Sequence, residues 1–267
     1  GPVAPWAFAA HPDPKSPAVI LFTSGTEGDP KGVVLSHFNI VANVHQVLAH
    51  VPEALGPEDV LFNPLPTFHC FGLTAGALLP LLGGMKSVLH PSPLQTKIIP
   101  KRVEDTGATI LFATDTFLNQ YIRACTGNEL GKLRFAVCGA ERVRDETRQL
   151  VRKRFDVELL EGYGATEAAP VIAVNQPGRN RPGTVGRPLP GMELKFEPVP
   201  GMENGGRMLV RGPNVMVGYL MTDRPGELQK LPQGWHDTGD VVSQDSENYL
   251  TIPGRLKGFA KVGGEVV

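Results

Sequence analysis

Thr23-Ser24-Gly25-Thr26-Glu27-Gly28-Asp29-Pro30-Lys31-Gly32 gathers hydroxyls, three glycines and one lysine in ten residues, directly after the apolar run Ala18 to Phe22. Glycines let backbone N–H groups turn toward an anion with no side chain in between, hydroxyls add donors, and Lys31 supplies a mobile positive charge. The stretch therefore reads as a phosphate-binding loop rather than an ordinary surface loop. The P-loop of nucleotide hydrolases needs Gly-Lys followed by Ser or Thr. Here Pro30 precedes the lysine and Gly32 follows it, so that magnesium-binding hydroxyl is missing, and the next segment reads as a strand leading to a helix at Ser36.

Outward from this loop, short apolar runs suited to buried strands occupy Ala18 to Phe22, Val60 to Asn63, Ser87 to His90, Thr109 to Ala113, Phe135 to Gly139 and Val157 to Glu161. Helical patterns separate them. Ser36 is placed to cap a helix carrying Ile40, Val41, Val44, Val47 and Leu48, and Asp145 to cap one carrying Leu150, Val151 and Phe155. Alternation of this kind predicts an α/β fold with a mainly parallel sheet and flanking helices. After about Arg181 the helical spacing stops, and Gly/Pro/Asn punctuation separates strand candidates at Leu194 to Phe196, Arg207 to Arg211, Asp240 to Ser243 and Tyr249 to Ile252. The expected organisation is a linker or peripheral arm over 1–17, with its five prolines, an α/β subdomain over 18–181, a small β-barrel-like subdomain over 182–253, and a closing segment over 254–267.

Bulk properties narrow the function classes. With 41% hydrophobic and 20% charged residues the 267-residue chain has a globular composition. Its 26 basic and 27 acidic side chains leave no global field toward nucleic acid or an anionic membrane. Cys70, Cys125 and Cys138 are odd in number and sit in apolar company, which predicts three core thiols rather than a disulfide framework or a zinc site. No apolar run approaches the roughly 18 residues that cross a bilayer. Gly1-Pro2 resembles a tag-removal scar and Val266-Val267 stops inside an apolar pattern, so an excised segment is expected.

Three further stretches carry chemistry. Glu161-Gly162-Tyr163-Gly164-Ala165-Thr166-Glu167 follows a strand candidate, which places it at the carboxyl end of the sheet, where α/β proteins bind ligands. Tyr163 offers a flat face to a purine, Thr166 a donor to a phosphoryl oxygen, and Glu167 a hard oxygen for magnesium. Cys138-Gly139-Ala140-Glu141 ends the preceding strand with residues small enough for a flat ligand to approach the backbone. Thr238-Gly239-Asp240 supplies a third carboxylate-bearing turn.

Together with Gly254-Arg255-Leu256-Lys257 and Pro64-Leu65-Pro66-Thr67-Phe68-His69-Cys70-Phe71-Gly72, these motifs resemble, in order and spacing, the superfamily of acyl-CoA synthetases, peptide-synthetase adenylation domains and luciferases. The resemblance implies ATP or AMP and magnesium as cofactors. It assigns Thr23, Ser24, Gly25, Thr26 and Lys31 to the phosphates, and Thr166 to the α-phosphate. Glu167 falls to the metal, and Glu161, Gly162, Tyr163 and Gly164 to the adenine, with Gly139 and Ala140 as its other wall. Asp240 and Arg255 fall to the ribose, Lys257 to a hinge, and His69, Phe71 and Ala165 to the acyl substrate. His236 stands where the family usually carries an aromatic.

Ser24 to Gly28, Phe68 to Thr74, Pro91 to Leu94 and Leu160 to Gly164 look most similar to the bacterial acyl-acyl-carrier-protein synthetases fused to a lysophospholipid acyltransferase. That branch implies a fatty acid and acyl carrier protein as partners, a lysophospholipid acceptor through the fused domain, no nucleic acid, and a place on the cytoplasmic side, the whole protein lying at the bacterial inner membrane. A long-chain acyl-CoA ligase, another adenylation domain and a non-catalytic nucleotide-binding module stay open. The family's adenylating lysine lies beyond the hinge, so a chain stopping at Val267 is expected to bind nucleotide weakly and adenylate little.

Overall fold

The computed structural model describes residues 13–24, 30–255, 261–262 and 265–266. The chain begins with a hairpin of β1 (Pro17–Ser24) and β2 (Pro30–Ser36), followed by α1 (His37–His50), β3 (Val60–Asn63), a wide π-helical segment (Phe71–Leu78) running into α2 (Leu79–Leu82), and β4 (Lys86–Leu89). Next come α3 (Ile99–Thr106), β5 (Ile110–Ala113), α4 (Asp115–Ala124), β6 (Phe135–Cys138), α5 (Asp145–Phe155), β7 (Glu158–Gly164), a 3-10 turn (Thr166–Ala168), β8 (Val171–Val174) and β9 (Arg187–Pro188). The remainder is β10 (Glu193–Glu197), β11 (Gly205–Arg211), β12 (Gly218–Leu220), β13 (Leu228–Gln229), β14 (His236–Gln244), β15 (Leu250–Arg255), β16 (Lys261–Val262) and β17 (Glu265–Val266).

Seven strands form the central sheet in the order β4-β3-β5-β6-β7-β8-β9. From β4 to β7 the strands are parallel, and β8 and β9 close it antiparallel. The sequence-based strands from Val60 onward fall on β3 to β7. Successive residues of β5 point to opposite faces. Leu111 and Ala113 pack against α3, α4 and α5 with Ile99, Leu118 and Val151, while Ile110 and Phe112 pack under α1 and the π-helical segment with Val44, Val47 and Ala75. All three cysteines are buried and unpaired, as expected of core thiols.

Three expectations are corrected. The run Ala18 to Phe22 is no buried strand of the parallel sheet: β1 is the edge of a separate antiparallel sheet, β1-β2-β12-β13, with Ile20 43% and Phe22 75% exposed. Parallel neighbours need a crossover of a dozen or more residues, and the connection to β2 is too short for one, so the two strands pair as a hairpin with Thr23 opposite Lys31. Asp145 is the first helical residue of α5, whose cap position is Arg144 without a side-chain hydrogen bond. Asp145 and Glu146 instead place negative charge in the first turn and Arg152, Lys153 and Arg154 positive charge in the last, complementing the helix dipole. Among the described residues the late strands form an open antiparallel sheet, β10-β11-β14-β15, and not a closed barrel.

Helix α1 joins the halves. Ser36 caps it as expected: the Asn39 amide donates to Ser36 Oγ at 3.1 Å, and the Ser36 amide donates to Asn39 Oδ1 at 3.0 Å. Beside the apolar stripe runs a buried polar one. Asn39 Nδ2 donates to the carbonyls of Pro213 and Val215, Asn43 Nδ2 to that of Val171, and Gln46 Nε2 to that of Pro190, all at 2.8 to 2.9 Å. His50 Nε2 meets the Val174 carbonyl at 3.0 Å. Apolar periodicity registers none of these residues, yet they supply donors to carbonyls of the second half, that of Val171 shared with Asn214 Nδ2.

Candidate functional site

A cavity of about 740 Å³ opens at the carboxyl ends of β6 and β7. Two backbone features shape its rim. Ala140, directly after β6, holds φ +66, a left-handed turn uncommon outside glycine, and Gly139 lies so close to Phe71 that a Cβ would come within 3.3 Å of that ring. Gly164, ending β7, tolerates no side chain, because a Cβ would stand 2.2 Å from the Pro170 carbonyl oxygen.

Polar groups converge at this mouth from three elements. The β1–β2 hairpin contributes Thr23 and Lys31, the turn after β7 contributes Thr166 and Glu167, and β14 contributes His236 to Asp240. Among the described residues no carboxylate pairs with Lys31, whose ammonium sits 5.6 Å from the centre of the Tyr219 ring. Tyr219 Oη donates to Glu167 Oε1 at 2.8 Å, and the Glu167 carbonyl accepts from the Met216 amide at 2.8 Å. Tyr163 Oη donates to Asp240 Oδ2 at 2.5 Å, tying the end of β7 to the Thr-Gly-Asp turn. Within that turn Gly239 takes φ +69, and its amide donates to Asp237 Oδ1 at 2.9 Å. Burial pushes the Asp237 carboxyl up, but the Arg207 guanidinium and the Gly239 amide outweigh it and hold the group below its ordinary value. His236 is 6% exposed, and burial lowers its pKa against the pull of Glu167, Asp237 and Asp240.

Below the mouth the cavity turns apolar. Val47, Val51, Leu55, Leu79, Phe112 and Phe135 line an arm between the sheet and α1. Lining residues run along β6 from Phe135 to Gly139, four residue steps or roughly 13 Å. His69 and Phe71 stand where arm and mouth meet. The Phe71 amide donates to His69 Nδ1 at 3.2 Å, and burial lowers the His69 pKa, keeping the ring neutral.

Of the residues expected from sequence, Thr23, Lys31, His69, Phe71, Gly139, Ala140, Gly162, Tyr163, Gly164, Ala165, Thr166, Glu167 and Asp240 share this cavity. Glu161 does not. Its side chain is buried outside the cavity lining, where Arg148 Nη2 and the Gly183 amide donate to Oε1 in an internal ion pair. Gly25, Thr26 and Lys257, and the side chains of Ser24 and Arg255, lie outside the described residues. Tyr219 and Arg207 were missed. Tyr219 sits in a three-residue strand that gives no periodic signal, and Arg207 alternates along β11 as any surface residue would. Core-forming positions of the arm were legible as apolar, but no local pattern tells which of them face a void.

Among the described residues no group of three or more His, Cys, Asp or Glu could hold a metal by itself. The Glu167 carboxylate, near the Lys31 ammonium, instead suits magnesium, which keeps several waters and shares one or two carboxylates with substrate phosphates. The residues present fit a metal that arrives with a nucleotide.

The chain is 32% identical over 262 residues to a long-chain-fatty-acid–CoA ligase of Escherichia coli O157:H7, covering 94% of this chain and 46% of the relative. It is 31% identical over 261 residues to a sulfoacetate–CoA ligase of Cupriavidus necator, covering 95% and 50%. Among solved structures, ATP-bound MatB from Rhodopseudomonas palustris superposes with a TM-score of 0.80 at 28% identity over 97% of this chain and 52% of that one. The chain thus spans about half the length of the curated relatives it matches. Residues 3–220 match the profile of the family described as AMP-binding enzyme, and the chain belongs to that family.

Proposed function

We propose that this chain is the nucleotide- and acyl-holding part of an AMP-forming acid–thiol ligase that activates a fatty acid. The observation that carries the reading is the continuity of one cavity, polar at Lys31, Thr166 and Glu167 and apolar from Phe71 to Phe135. A carboxylate at the junction, beside His69, would have its chain in the arm and its oxygens facing the phosphate-binding groups.

The reaction is attack of the fatty carboxylate on the α-phosphorus of ATP, releasing pyrophosphate and leaving an acyl-adenylate, from which a thiol then takes the acyl group. The carboxylate is already ionised, so no general base is required, and the neutral His69 marks the acyl entrance. Lys31 and Thr166 act as preorganised donors to phosphoryl oxygens, where charge develops in the transition state. Magnesium held by Glu167 and the nucleotide's own phosphates supplies charge neutralisation. Tyr163, Gly139 and Ala140 flank the adenine, and Asp240 receives the ribose hydroxyls with Tyr163 Oη at its back.

The finer reading, acyl carrier protein as the thiol and a fused lysophospholipid acyltransferase, rests on the motif wording from Ser24 to Gly28 and from Phe68 to Thr74. Assaying the whole protein with oleate, ATP and either carrier protein or CoA tests it: faster thioester formation on carrier protein is expected, and preference for CoA makes the protein an acyl-CoA ligase. Hydroxamate trapping with the 267-residue chain alone should show little adenylation, and a rate equal to the whole protein's contradicts the need for further residues.

A further inference from the structure

Tyr219 contacts two of the charged groups at the mouth, Glu167 and Lys31. It lies on β12, which pairs with β2 so that Tyr219 stands opposite Val33, two residues beyond Lys31. Its hydroxyl donates to Glu167 Oε1 at 2.8 Å and its ring faces the Lys31 ammonium at 5.6 Å from the centroid, within cation–π range. Neither contact follows from chain proximity: Glu167 is 52 residues away in sequence. Two backbone bonds clamp the same strand to both partners' elements, Met216 N to the Glu167 carbonyl at 2.8 Å and Val217 N to the Val34 carbonyl at 2.9 Å.

We propose that Tyr219 is a positioning residue that orients the Glu167 carboxylate for the nucleotide-borne cation and seats Lys31 for the phosphates, coupling the two charges through one aromatic side chain. The inference rests on the functional reading above. With Oε1 fixed by the hydroxyl, Oε2 is directed by the same bond instead of rotating freely. The ring leaves the ammonium's charge uncompensated by any carboxylate among the described residues, and so available to an anion.

Calorimetric titration of the chain with ATP plus magnesium, ATP plus chelator, and AMP separates the roles. Groups that hold a metal ligand typically cost about 10–100-fold in metal affinity when removed. Y219F should therefore lose about that factor from the magnesium-dependent gain in ATP affinity, while AMP and magnesium-free ATP bind within about twofold of wild type. Y219L should also lose about two- to fivefold for magnesium-free ATP, because the ring near Lys31 is gone. E167Q marks full loss of the magnesium gain. A Y219F protein that keeps the wild-type magnesium gain overturns the proposal, as does one that weakens all three ligands equally, which is the signature of a merely structural residue. A wild-type chain whose ATP affinity ignores magnesium overturns the functional reading, and this proposal with it.

Discussion

The parallel strands β3 to β7 and the small antiparallel sheet β1-β2-β12-β13 meet at one cavity but are built on opposite terms. The first is a near-continuous apolar layer covered on both faces; the second is a hairpin whose edge strand exposes Ile20 and Phe22 while β2 is buried, joined to a three-residue strand from far along the chain. The parallel sheet supplies walls and a floor. The small sheet brings Thr23, Lys31 and Tyr219 to the mouth, beside Glu167 from the turn after β7 and Asp240 from β14. Shape and charge are thus divided between residues deep in the parallel sheet and polar groups at the mouth, and substitutions in the two should fail differently.

The largest effect is expected where charge is handled. K31M in the whole protein should lower the adenylation rate by about 10²–10³-fold, the typical cost of one preorganised transition-state donor, with the melting temperature unchanged. Pyrophosphate release measures it, and a comparable loss of stability would erase the division of labour. Leu111→Ala in β5, fully buried against the helices, should cost about 2–5 kcal/mol in unfolding free energy while the folded fraction binds AMP normally. Denaturant titration with and without AMP resolves the two. Asn43→Ala removes the acceptor for the Val171 amide and one of two side-chain donors to the Val171 carbonyl, the other being Asn214, and should cost about 1–3 kcal/mol. If α1 binds the halves together, the loss appears as one cooperative transition and not as separate melting of the late strands.

The smallest effect concerns acid. Burial holds the His50 pKa below its ordinary 6.5, with Arg187 adding to it and the Val174 carbonyl opposing. A group depressed on folding binds fewer protons in the folded than in the unfolded state, so its contribution is intact above about pH 6.5 and is lost as pH falls below it. His50→Gln keeps a donor for Val174 and should flatten the stability profile between about pH 7 and 5.

Legibility followed the same division. Strands β3 to β7 and α1 were readable because burial writes apolar periodicity into local sequence. β1 misled because an apolar run looks alike in a buried strand and in an exposed hairpin edge. The pairing of the Glu161 carboxylate with Arg148 on α5 was not legible, because a carboxylate beside a nucleotide motif looks the same in sequence whether or not an arginine meets it. Tyr219 and the polar stripe of α1 stayed hidden because their partners are distant in sequence, and pairing of that kind leaves no local trace.

The central claim is one cavity for two chemistries, and a series of non-hydrolysable acyl-sulfamoyl adenosines from acetyl to palmitoyl tests it most directly. Affinity should climb with chain length, by up to about fourfold per buried methylene, until the arm behind Phe71 is filled, and then level off. Affinity that stays flat from acetyl to palmitoyl, with adenosine alone accounting for the binding, would contradict it.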